Sequence, residues 1–168
     1  MENRIAQGVS VLFHPIFLPF YVLLYLMNMN DLFAAIFTSR IQLILLATVV
    51  LTTILCPLLI LFFLHRRNLV RSFFLNQREE RIYPLLTMAI FYYITYYVMK
   101  GITASLFFNF YMLGATLLAV VALIISFYYK ISLHMLSWGG CLGMLFGLVI
   151  SFGFDMFWPV SVTIAIVG

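Results

Sequence analysis

The sequence predicts an all-α protein, a polytopic transmembrane helical bundle of about six spans. Composition, run length and the distribution of cations carry that prediction. Hydrophobic residues make up 65% of the chain and charged residues 8%, with a mean hydropathy of +1.15. A soluble domain carries about 25% charged residues, so this chain lacks the polar surface to cover a water-soluble globule. Its apolar runs are much longer than the roughly ten-residue alternating segments of a membrane barrel and are apolar all round, which argues against strands. Residues 1–168 read as a single transmembrane helical domain.

A helical span takes about 20 apolar residues, and the runs divide on that scale. The first, 9–28, extends from Val9 to the polar turn Asn28-Met29-Asn30-Asp31. That turn is no small-residue cleavage site, so the run reads as a span and not as a signal peptide. Leu32–Thr38 is compatible with an interfacial helix or with an extension of the next span. The second run, 40–64, contains Pro57, which is expected to kink it. A polar connection, His65 to Tyr83, follows. The third run, Pro84–Met99, is short and tyrosine-rich, with Pro84 placed to open the helix at its first turn. The fourth covers 103–129 and the fifth 132–151; a sixth begins near Phe154.

Alternate threading sends Arg4, Arg66, Arg67, Arg71, Arg78, Arg81 and Lys130 to one side, called A, and Arg40 and Lys100 to the other, B. Seven cations against two place side A in the cytoplasm by the positive-inside rule. The two cysteines, Cys56 and Cys141, lie inside apolar runs and read as small packing residues; no disulfide, metal site or cofactor is implied. Nothing points to nucleic acid. Gly139, Gly143 and Gly147 form a small-xxx-small stripe that would let another helix approach closely, within the bundle or from a second copy. Asn109 is expected to hydrogen-bond between helices. Tyr92, Tyr93, Tyr96 and Tyr97 cover more than one face of the third helix and suit aromatic packing, an interface belt or a cleft for a lipid tail. Asp155 is placed to cap the last helix.

Two polar constellations share side A. Arg78-Glu79-Glu80-Arg81-Ile82-Tyr83-Pro84 sets two arginines around two glutamates, and a guanidinium offers planar paired donors that match phosphate oxygens. Lys130-Ile131-Ser132-Leu133-His134 sets a cation, a hydroxyl and an imidazole at a helix mouth. Ser132 would cap the helix, whose unpaired N–H groups favour an anion, and His134 has the reach and acidity of a general acid or base. Against this stands the ordinary account: Arg66, Arg67 and Arg71 bind anionic headgroups, Lys130 snorkels, Ser132 caps and His134 bonds a carbonyl. His14, before Pro15, reads as an interfacial histidine within reach of the same region. Ionisable groups converging beside lipid mark a functional site by default.

These two clusters resemble the motifs of the type 2 phosphatidic acid phosphatase superfamily of membrane lipid phosphatases, in the manner of a divergent bacterial member. The likeness covers about residues 76–168 and rests on the arginine-rich segment and on Ser132-Leu133-His134. The family's Lys-x6-Arg-Pro motif is reduced here to Arg71-x6-Arg78 with Glu79 in place of proline, or to Arg81 and Pro84 with extra residues between. Its Pro-Ser-Gly-His motif keeps only Ser132 and His134. Its third motif, which supplies the attacking histidine, has no counterpart in these 168 residues, which suggests a truncated form of a longer enzyme or a binder without turnover. The resemblance implies a bacterial inner-membrane protein acting on a lipid phosphate or diphosphate ester. Arg78, Arg81, Lys130 and Ser132 would then hold the phosphate and His134 would protonate the leaving group. The alternative is a non-enzymatic membrane subunit or transporter-like bundle whose basic loop binds anionic lipid or a partner.

Overall fold

The computed structural model describes residues 13–28, 39–67, 78–100, 106–129, 131–152, 160–161 and 163–164. Nearly all of these residues are helical, with no strand among them. A 3-10 turn at Pro15–Phe17 leads into α1 (Leu18–Asn28). Then come α2 (Ser39–Arg66), α3 (Arg78–Lys100), α4 (Leu106–Ser126) and α5 (Leu133–Phe152).

Four helices are long and apolar enough to cross a membrane: Ser39–Arg66, Arg81–Lys100, Phe107–Ser126 and Leu133–Ile150. They correspond to the second to fifth expected spans. The first run yields the shorter apolar helix Pro15–Asn28; at 1.5 Å per residue it reaches about 21 Å, less than the ~30 Å hydrocarbon core. Residues 9–12 lie outside the described residues, as do Leu32–Thr38, Asp155 and most of the sixth run. Leu43, Leu51, Phe63, Tyr97, Phe110 and Ile150 are exposed. So much apolar surface, spread over four helices, belongs against hydrocarbon. This is an integral membrane bundle.

The tightest packing lies toward side B. Leu23 and Leu26 of α1, Leu45 and Val49 of α2, Met99 of α3, and Phe108 and Met112 of α4 are all fully buried and share one cluster. These positions fall at the end of α1, the start of α2, the end of α3 and the start of α4, which antiparallel threading brings to one end. Hydroxyl groups also join helices between this cluster and the middle of the bundle. Thr95 of α3 lies within 2.7 Å of Thr52 Oγ1 on α2 and of its own Phe91 carbonyl. Such interhelical hydroxyl contacts contribute about 0.6 kcal/mol on average in a membrane.

Pro57 acts on α2 through its upstream turn. Val50–Leu55 is π-helical, and the Cys56 N–H bonds to the Leu51 carbonyl. Proline has no N–H to give the carbonyl four residues back, and Thr48, Thr52 and Thr53 donate to carbonyls one turn upstream. Both effects loosen the ordinary ladder, and one wide turn absorbs them.

The third helix starts earlier than the sequence predicts. It begins at Arg78, with Pro84 inside it, so the polar connection ends before Arg78. Pro84 removes one hydrogen bond without ending the helix. In the next turn Thr87 Oγ1 donates to the Tyr83 carbonyl, and buried Pro84 packs inward.

Glycine packing also departs from expectation. A Cβ at Gly139, Gly143 or Gly147 would meet nothing within 4 Å, whereas one at Gly140 would lie 2.7 Å from Leu118 Cδ2. The close approach of α5 to α4 therefore runs through Gly140 and not through the stripe, because α5 turns the Gly140 face toward α4. Asn109 differs as well: its Oδ1 is buried without a hydrogen-bond partner among the described residues.

Candidate functional site

The side-A end of the bundle is organised by two clips. Arg81, half-buried near the start of α3, donates through Nη1 to the carbonyl of Ile131, just before α5. Fifty residues separate the two in sequence. The second clip holds the segment before α1: Trp138 Nε1 donates to the Phe13 carbonyl at 3.1 Å, and the two rings meet edge to face at 5.9 Å. Trp138 is buried, so the indole supplies both apolar contact and a paired N–H.

These clips bring two histidines together. The rings of His14 and His134 stand perpendicular, with centroids 5.5 Å apart. His14 caps the 3-10 turn, its Nδ1 accepting from the Ile16 N–H at 3.3 Å. That bond needs an unprotonated Nδ1, which fixes the neutral tautomer with its proton on Nε2. His134 Nε2 is buried and has no hydrogen-bond partner among the described residues. Leaving such an atom unpaired costs about 1–3 kcal/mol, so it suits a ligand that can bond to it. Ser132 opens α5: the N–H groups of Met135 and Leu136 reach its Oγ and carbonyl oxygen at 3.4 and 3.1 Å. The hydroxyl accepts in this cap and keeps its own proton to donate.

His14, Arg81, Ser132 and His134 line the mouth of one cavity of about 1180 Å³. Ordinary small-molecule pockets measure roughly 300–1,000 Å³, so this one is large. Below the mouth the walls turn apolar, with Met88 and Tyr92 from α3, Tyr111 and Leu118 from α4, and Met144 and Leu148 from α5. Of the tyrosine cluster, Tyr92 is buried and lines the cavity, while Tyr93 and Tyr97 are exposed.

Three of the five residues singled out in the sequence, Arg81, Ser132 and His134, therefore meet. Arg78 is the first residue of α3, and its side chain lies outside the described residues. So does Lys130. The sequence reading gave His14 the bland role of an interfacial histidine and overlooked Trp138. A usable signal was present: Trp138 stands four residues beyond His134, on the same helix face.

Compared with protein-family models, curated proteins and solved structures, the chain has no match.

Proposed function

We propose that this membrane bundle binds a lipid phosphate, with the phosphate at the His14–Arg81–Ser132–His134 mouth and the hydrocarbon in the apolar body of the cavity. The observation that carries the reading is the meeting of a cation, a hydroxyl and an orphaned imidazole nitrogen at one end of an otherwise apolar cavity. A guanidinium matches phosphate oxygens in pairs. Ser132 offers its hydroxyl, and the start of α5 adds favourable backbone dipoles. The likeness of Arg78–Pro84 and Ser132–His134 to lipid-phosphatase motifs supports the same chemistry. In hydrolysis, water would attack phosphorus as the ester P–O bond breaks, His134 would protonate the leaving oxygen, and Arg81, with Arg78 and Lys130, would stabilise charge on phosphorus oxygens.

In this reading the chain is a bacterial inner-membrane protein of about six spans, with the mouth on the face carrying seven of the nine cations. The charge bias orients that face to the cytoplasm. The test is native mass spectrometry of the full chain, released from detergent, with hexadecyl phosphate and hexadecanol as paired probes. The phosphate is expected to bind about tenfold more tightly or better, since one charge-assisted hydrogen bond is worth roughly 1.5–3 kcal/mol. Equal retention of alcohol and phosphate would overturn the reading.

A further inference from the structure

The cavity is long, and its shape limits what it can hold. Along α4 its lining falls at Phe107, Phe110, Gly114, Leu118 and neighbours; along α5 it falls at His134, Ser137, Gly140, Met144 and Gly147. Both series step by three or four residues, so each helix contributes a single face. The space is therefore a trough running along α4 and α5, walled also by Leu58 and Leu61 of α2 and by Leu85, Met88 and Tyr92 of α3, with its polar end at His134. From His134 to Leu148 an α-helix rises about 21 Å. One leaflet of a ~30 Å hydrocarbon core offers about 15 Å.

Partway down, α4 and α5 meet at Leu118 and Gly140, about 9 Å below His134 by helical rise. Beyond that pinch the walls are cut back to glycine. At Gly114 and Gly147 a Cβ would meet nothing within 4 Å, and both line the cavity. The leucine-against-glycine contact constricts the trough on its α4–α5 side.

We infer that the trough along α4 and α5 takes a long apolar chain, saturated or isoprenoid, carried by the phosphate at the mouth. The inference rests on the lipid-phosphate reading and adds its tail. The Leu118–Gly140 pinch divides the trough into an upper part that any amphiphile fills and a lower part that only long chains reach. The lower part sets chain-length preference.

The test compares hexadecyl phosphate with hexyl phosphate on wild type, Gly147→Leu and Gly143→Leu by native mass spectrometry of the full chain, with thermal unfolding of each variant recorded alongside. Gly147 lines the lower trough; Gly143 is on the same helix but outside the lining, and Cβ space is open at both. Gly147→Leu is expected to weaken hexadecyl phosphate about tenfold, the loss of roughly two buried methylenes, and to leave hexyl phosphate unchanged. Gly143→Leu is expected to change neither. Wild-type protein that binds both phosphates while Gly147→Leu retains the long chain fully would overturn the trough and leave the mouth standing. Failure of wild type to bind either phosphate would overturn both. Equal weakening of both chain lengths in Gly147→Leu, with unfolding unchanged, would also overturn the division of the trough.

Discussion

Replacing Arg81 with alanine is expected to weaken lipid-phosphate binding about 10- to 100-fold, the range of one or two charge-assisted hydrogen bonds. Arg81 is the cation that the described structure places at the mouth, half-buried and tied to the Ile131 carbonyl. Its loss removes a phosphate donor and also frees the segment leading into α5. The two effects separate experimentally. Arg81→Lys keeps the charge as a point donor and should recover part of the phosphate binding without restoring the paired geometry. A matched alcohol probes the trough without the phosphate. If Arg81→Ala weakens alcohol and phosphate equally, Arg81 serves as a structural tie and not as a phosphate ligand.

His134→Ala is expected to lower phosphate release from a lipid phosphate at least about 100-fold, the low end of what a positioned general acid supplies. Binding of the same lipid should fall only severalfold, because Arg81 and Ser132 remain. The nitrogen in question is the buried, unpartnered Nε2, so the substitution removes an orphaned polar atom and is not expected to unfold the chain. Robust turnover in the variant would sink the proton-donor role. Wild-type protein that binds the lipid but releases no phosphate would establish the non-enzymatic reading. Free phosphate measured beside lipid retention, in the same samples, distinguishes these outcomes.

Helical class and membrane residence were legible because composition and run length act locally. A stretch such as Gln42–Leu64 has no stable state in water that buries its side chains, and in hydrocarbon its backbone must satisfy itself within a helix. The ends of the helices were less legible. Pro84 carries a local signal for a helix start, yet the helix begins at Arg78, since losing one backbone bond costs less than ending a helix that continues upstream. For packing within the bundle, the glycine stripe misled for a related reason. Spacing shows which residues share a helix face, but not which neighbour that face meets, and α5 presents Gly140 to Leu118 instead.

The sequence by itself determined the membrane bundle, the shared side of the two basic clusters, and Arg81, Ser132 and His134 as the residues to watch. Each follows from local chemistry: hydropathy sets the spans, and alternate threading sets the ends. Only the tertiary structure decided that His14 stands against His134, that Trp138 holds it there, and that a large apolar cavity opens below them. Those facts depend on the rotation of each helix about its own axis and on contacts as distant as the 125 residues between Phe13 and Trp138. Helix rotation is settled by packing between faces, which no single run of sequence encodes.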